Sequence, residues 1–395
     1  MTTYDVLIVG AGHGGAQAAV ALRQHGFQGT VGMFGDEPEP PYERPPLSKE
    51  YMSGERPFDR MLLRPPAFWS NKGVDVVTGA PVTRVRKDEK VAETAEGRRI
   101  SYGTLIWAAG GAARRLECEG HDLRGVHTVR SRADVDRLIE ELPATERVVV
   151  VGGGFIGLEA AAVLTKLGKR VTVLEAQDRL LARVCGQEIS RFYLRQHRAR
   201  GVNVHLDTVV ESIVGEGGRV IGVRLASGRT ISCEMVIVGI GIVPAVAPLV
   251  AAGASEHNGV QVDQHCRTSI ANVYALGDCA RRPSRYAVGG SVRLESVQNA
   301  GVMAAAAVAS LMGEALPNEP VPWFWSNQFD LRLQTIGLAA GHDRTIVYGD
   351  PKLPGFSVIY LREDRILALD CVNAAKQFAR GKRLIGEVMT TDTTL

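Results

Sequence analysis

Two glycine patterns have the spacing of a phosphate cradle. The first is DVLIVGAGHGG, Asp5 to Gly15, and the second is VVVVGGGFIG, Val148 to Gly157. In each, an apolar β-branched run leads into G-x-G-x-x-G and then into an Ala/Leu-rich helical pattern. Gly10 or Gly152 allows the tight turn from strand to helix. Gly12 or Gly154 lets backbone approach a pyrophosphate, and Gly15 or Gly157 lets the helix sit close on the strand. The phosphates would meet the unpaired N–H groups at the positive end of the helix. One such pattern is also compatible with a tight turn that binds nothing. Two in one chain, each between a strand and a helix, imply two bound dinucleotides and an electron path between them.

A ribose hydroxyl calls for a carboxylate at the end of the next strand, about 20 residues on. Asp36 and Glu37 end the run TVGMFGDE after the first pattern, and Glu175 ends VTVLEA after the second. A carboxylate there accepts from a free 2′-hydroxyl and repels a 2′-phosphate. No Arg adjoins Glu175, so the second site is expected to prefer NADH over NADPH.

The cysteines say how electrons do not leave. The six are Cys118, Cys185, Cys233, Cys266, Cys279 and Cys371, with no C-x-x-C pair and no metal-ligand spacing. A dithiol route needs a redox cysteine pair, and the spacing offers none, so the six are expected as packed thiols rather than as ligands.

The elements that must position these residues follow the same plan. Residues 4–36 read as strand, turn, helix from Ala16 to His25, and strand. The loop Pro38 to Tyr51, PEPPYERPPLSKEY, is too proline-rich for a regular element and presents Arg44, Ser48 and Lys49. Short β runs fill residues 74–106, and an amphipathic helix is expected from Ala133 to Leu142. The second glycine unit has its helix from Leu158 to Leu167. A β region then covers Val202 to Val238, with a hairpin near Gly215 to Gly218. GIGIVPAV at Gly239 returns to the first domain, and a helix follows from Ser296 to Met312. After the proline-rich Pro317 to Pro322, the composition turns aromatic and strand-like. The fold class is therefore α/β: two Rossmann-like dinucleotide-binding domains, one inserted in the other, plus a small α+β C-terminal domain. The expected domains are 1–110 with 240–317, then 111–239, then 318–395.

At 395 residues, 45% hydrophobic and 23% charged, the chain has the composition of a soluble multidomain protein. A net charge of +3 argues against a nucleic-acid or membrane partner. Local clusters at Arg84 to Lys90, Arg98-Arg99, Arg114-Arg115 and Arg281-Arg282 are either solvated loops or a basic rim for an acidic partner. The N-terminus carries no secretory pattern, and Ala300 to Met312 is too short to span a bilayer, so a cytoplasmic location is expected.

The first glycine pattern, TLIWAAG and T-x(5)-YA-x-GD together resemble the two-dinucleotide flavoprotein disulfide-reductase superfamily. Within it, YERPPLSKEY, GGGFIGLEAA, VGIGIVPA, YALGDCA, RLESVQNA and PWFWSNQ resemble the oxygenase-coupled ferredoxin reductases, of the putidaredoxin-reductase and biphenyl-dioxygenase-reductase kind. The likeness runs along essentially the whole chain. It implies FAD at the first site and NADH at the second. FAD contacts would be Gly14, Asp36, Arg44, Lys49, Val82, Arg130, Asp278 and Val297, with Asp278 on the ribityl chain. Gly241 joins Glu175 and the second glycine turn around NADH. Lys49 would lie beside flavin N5, Glu159 would be its carboxylate partner near the nicotinamide, and Trp325 would lie over the flavin. The family's Ala-Thr-Gly followed by Pro is replaced here by Ala109-Gly110 and Ala113, a local change in the crossover strand. The partner implied is a small acidic [2Fe–2S] ferredoxin, Rieske-type or putidaredoxin-like, feeding an oxygenase in aromatic hydrocarbon catabolism. Monomer and homodimer both remain open. So do a rubredoxin-, nitrite-reductase- or monodehydroascorbate-reductase-type flavoprotein and, from a different class, an apoptosis-inducing-factor-like signalling role.

Overall fold

The computed structural model describes residues 2–390; residues 391–395 of the expected C-terminal domain lie outside the described residues. The chain packs as two compact units, one of Met1–Glu43, Phe58–Ala112 and Val243–Pro322, the other of Arg44–Pro57, Ala113–Ile242 and Trp323–Leu395. The C-terminal segment and the second glycine pattern fall within the same unit. The loop Arg44–Pro57 joins that unit also, although its neighbours in sequence belong to the first.

The first unit is built on parallel strands. Thr2–Val9 lies between Val31–Phe34 and Arg99–Trp107, with Val74–Val77 beyond one side and Val273–Ala275 beyond the other. The antiparallel pair Val82–Arg86 and Val91–Thr94 extends the sheet from the other end of Arg99–Trp107. The central run is apolar at nearly every position because helices cover both faces of such a sheet. Leu7, Ile8, Met33, Leu105 and Ile106 are all fully buried. Trp107 is buried too, and its indole N–H is satisfied by the Ala245 carbonyl at 2.7 Å.

In the second unit, Asn203–His205, Arg170–Leu174, Arg147–Val151, Met235–Val238 and Val126–Thr128 form a parallel sheet in that order. A three-stranded antiparallel sheet begins with Val210–Glu216 and Arg219–Leu225, whose hairpin turns at Gly217 and Gly218, both at positive φ. The C-terminal segment folds into five antiparallel strands in the order Trp323–Gln328, Leu331–Gly337, Arg365–Val372, Phe356–Arg362, Arg344–Tyr348.

Three local expectations change. The glycine helices begin earlier than the apolar pattern suggested, at His13 and Phe155, because the glycines themselves form the first turn. The proline loop contains one regular turn, a 3-10 helix at Pro45–Ser48. Proline is compatible with a first helical turn, where its missing N–H would have no partner anyway. Gln187–Ala199, to which the sequence reading assigned no element, is a helix that buries Ile189, Phe192, Tyr193 and His197.

Candidate functional site

The first unit carries one cradle. Gly10 has φ +109°, and a Cβ there would come within 2.3 Å of the Ala108 carbonyl oxygen. A Cβ on Gly15 would lie 1.9 Å from the Gly10 carbonyl oxygen, so helix and strand close up only without side chains. Gly12 is the opposite case: it caps the helix His13–Gln24, and nothing lies within 4 Å of where its Cβ would be. That helix has no side-chain cap and no acidic residue in its first turn. A helix start of this kind, with room at Gly12, is the arrangement an anionic phosphate fits.

Elements from distant sequence converge here. A Cβ on Gly14 would meet Leu276 Cδ1 at 2.5 Å and the Ala300 methyl at 3.8 Å. Leu276 leads into the short turn Gly277–Cys279 that carries Asp278, and Ala300 lies in the helix Val297–Met312, capped by Ser296. The segments that carry Asp278 and Val297 thus approach the glycine helix at Gly14. Asp36 is exposed just past the strand Val31–Phe34, whereas its neighbour Glu37 accepts a hydrogen bond from Tyr42 at 2.5 Å. Val82 opens its own strand, half-buried. Arg44, Lys49 and Arg130, expected with this group, belong to the second unit, where Arg44 donates to the Arg130 carbonyl at 2.8 Å.

The second unit repeats the cradle closely. Gly152 has φ +108° and its Cβ would lie 2.4 Å from the Gly239 carbonyl oxygen; that of Gly157 would lie 2.1 Å from Gly152 O. Gly154 caps Phe155–Lys166 with nothing within 4 Å. Glu175 sits where the ribose acid is expected and accepts from Gly153 N at 2.6 Å and Gln177 N at 2.8 Å. Gly241, at φ +102°, faces the Arg183 guanidinium, 3.6 Å from a hypothetical Cβ.

Beside this second cradle lies a buried ion pair. Glu159 is 2% exposed, one turn into the glycine helix, and Lys49 Nζ donates to its Oε2 at 2.6 Å. Lys49 donates also to the Pro45 carbonyl at 3.0 Å. The Ser48 hydroxyl reaches the same carboxylate oxygen at 2.5 Å, and Ser326 reaches Oε1 at 2.7 Å. This pair holds the proline loop in the second unit. Ser48 was read only as a loop residue, and Ser326 was not singled out at all. Strand alternation explains Ser326: along Trp323–Gln328 the fully buried side chains are Ser326 and Gln328, while Trp323 and Trp325 stack on each other at 5.4 Å on the opposite face. Trp325, expected over the flavin, therefore does not share the face that meets Glu159. Phe324 does share it, and packs on Phe155 at 4.6 Å.

The thiols are poor candidates for redox work. All six cysteines are unpaired, and burial pushes Cys233, Cys266, Cys279 and Cys371 up to about 12. A thiol held protonated is not a nucleophile. Among the described residues no cluster suits a metal ion, and no helix is long and apolar enough to cross a membrane.

Comparison with known proteins agrees with this layout. Residues 4–304 match the pyridine nucleotide-disulphide oxidoreductase family, and residues 323–394 match the reductase C-terminal family. A ferredoxin–NAD(P)(+) reductase of a Sphingomonas species is 54% identical over 97% of this chain and 93% of its own length. The ferredoxin reductase subunit of a Sphingobium 5,5′-dehydrodivanillate O-demethylase is 55% identical over 98% of this chain and 94% of its own. Among solved structures, the covalent putidaredoxin reductase–putidaredoxin complex superposes with a TM-score of 0.94 at 35% identity, covering 98% of this chain and 94% of that one.

Proposed function

The chain belongs to the pyridine nucleotide-disulphide oxidoreductase family, and from that premise we propose that it is an NADH-dependent ferredoxin reductase. It takes hydride from NADH and passes single electrons to an acidic [2Fe–2S] ferredoxin, which feeds an oxygenase, either a Rieske dioxygenase or a cytochrome P450. The observation that carries the reading is the pair of matched glycine cradles in a chain whose thiols are held protonated.

FAD, when bound, accepts electrons as a hydride pair and gives them up singly. The first cradle suits it: Gly12 leaves room for the pyrophosphate, the uncapped helix offers N–H donors, and Asp278 offers a carboxylate to the ribityl chain. Asp36, Val82 and Val297 line the same unit. Arg44, Lys49 and Arg130 are proposed for FAD on the sequence likeness alone. The second cradle would hold NADH, with the Gly154 turn for the pyrophosphate, Glu175 for the adenosine ribose, and Gly241 beside Arg183. Glu175 favours the free 2′-hydroxyl over a 2′-phosphate.

Lys49 supplies positive charge where hydride transfer leaves negative charge. Two of its three donors are committed to Glu159 and Pro45, and the third would be left for a bound flavin. An unpaired buried ammonium would be costly, and Glu159 removes that cost. Trp325, on the aromatic strand Trp323–Gln328, is the residue proposed to lie over the flavin and exclude water. The enzyme works in the cytoplasm, in the oxidative breakdown of aromatic compounds.

Anaerobic mixing with NADH should bleach the flavin absorbance and give a long-wavelength charge-transfer band. Turnover should follow when an acidic [2Fe–2S] ferredoxin is added, with rubredoxin a poorer acceptor. Protein that bleaches yet reduces neither a ferredoxin nor a one-electron dye would overturn the reading.

A further inference from the structure

We propose that Ser326, Gln328 and His197 are positioning residues, forming a one-way hydrogen-bond relay that fixes the Glu159 carboxylate against Lys49 for hydride transfer. The proposal rests on the function just described.

The relay is continuous and dry. Ser326 Oγ donates to Glu159 Oε1 at 2.7 Å and accepts from Gln328 Nε2 at 3.2 Å. The other end of that amide, Oε1, meets His197 Nε2 at 2.9 Å. Ser326, Gln328 and His197 are each 0% exposed, so water cannot substitute for any link.

Its direction follows from what each group can do. Glu159 has only acceptors to offer, and Lys49, Ser48 and Ser326 all donate to it. Ser326 has one proton and gives it to the carboxylate. Gln328 must then point its NH₂ at Ser326 and its oxygen at His197, which obliges His197 Nε2 to carry the ring proton. The far nitrogen, Nδ1, is buried with no hydrogen-bond partner. A bare lone pair is tolerated there, whereas the other tautomer would strand an N–H in that place and set two lone pairs facing each other across the Gln328 link. Burial, with the Arg200 charge adding to it, lowers the ring to about 4 and keeps it neutral. The histidine thus dictates the amide orientation, the amide dictates the hydroxyl, and the hydroxyl locks one oxygen of Glu159. Turning the amide over would withdraw the Ser326 proton from Glu159.

Joining a helix to a strand does not require this. Apolar side chains of equal size would hold Gln187–Ala199 against Trp323–Gln328 without burying three polar groups. What the polar relay adds is a fixed carboxylate at its end.

The test uses full-length, FAD-loaded protein. Nitrogen-15 NMR of labelled histidine, with the His197 signal assigned by its loss in His197→Gln, should show the Nε2–H tautomer. Ser326→Ala and Gln328→Met should slow the limiting rate of flavin bleaching by NADH about tenfold, the loss of one hydrogen bond to a charged group. Ser326→Thr and His197→Gln, which keep the donors, should stay within about threefold of wild type, with the NADH dissociation constant changed less than about twofold throughout. The Nδ1–H tautomer overturns the proposal. So do bleaching rates that simply follow melting temperature, with no difference between the Ser326→Ala and Ser326→Thr proteins. Should the wild-type flavin not respond to NADH, the functional reading fails, while the tautomer still decides the relay.

Discussion

Glu159 accepts three hydrogen bonds while only 2% exposed. Removing the cation opposite such a carboxylate leaves an uncompensated buried charge. Lys49→Ala is expected to cost about 3 kcal/mol in denaturant unfolding of the flavin-loaded protein, and Glu159→Gln on top of it should recover most of that loss. The same Lys49→Ala protein should show slower bleaching by NADH and a weaker charge-transfer band; unchanged kinetics would make Lys49 a bystander in the reaction. Glu175 is tied to the Gly153 amide. Glu175→Ala should lower the NADH/NADPH ratio of kcat/KM about tenfold, read by steady-state assays with both nucleotides. The glycine turns were legible from the chain because sterics dictate them almost alone. Ser326, Gln328 and His197 were not, because their role depends on which face of a strand turns inward and on a helix recognised only by its packing.

At the scale of elements, the C-terminal sheet carries a buried acid of its own. Asp370, on Arg365–Val372, accepts from the Tyr360 hydroxyl at 2.6 Å, and that oxygen also takes the Gly186 N–H at 2.9 Å. Burial raises Asp370 to about 7 from 3.8. A carboxyl raised on folding contributes stability that is fully present below its unfolded value and fades as pH climbs toward its folded one. Relative to Asp370→Asn, wild type should therefore lose about 1.4 kcal/mol per pH unit between about pH 4 and 7. Unfolding curves at several pH values for both proteins would show it, and parallel curves would refute it. Here the sequence showed that a strand-rich tail follows Pro322 but not how it packs. The alternation in Trp323–Gln328 was readable, while its phase was set by partners more than a hundred residues away. The helix Gln187–Ala199 left a 3.6-residue trace in Ile189, Phe192 and Tyr193, obscured by its many arginines and glutamines.

For the molecule as a whole, the proposed route takes electrons out without a thiol. Only Cys118 is more than slightly exposed, and burial raises its thiol as well. Alkylation of the native protein with N-ethylmaleimide should leave ferredoxin reduction intact; loss of activity in step with modification would restore a thiol route. A basic enzyme meeting an acidic carrier is steered by charge. The second-order rate of ferredoxin reduction should fall several-fold between low and physiological salt, with little change in kcat. The nested order of segments was visible because each glycine turn announces a βα unit. The transfer of Arg44–Pro57 to the second unit was not, since it rests on Ser48 and Lys49 finding Glu159.

The two cradles agree within 1° in φ at Gly10 and Gly152, and to about 0.2 Å in their tightest approaches. A pocket floor duplicated this faithfully cannot by itself tell an ADP-containing guest from its rival. On the proposed reading, discrimination comes from the walls, Asp278 and the helix Val297–Met312 in one half, Glu175 in the other. Protein stripped of its yellow colour should accordingly take up two equivalents of ADP-ribose in a calorimeter, and the reconstituted protein one.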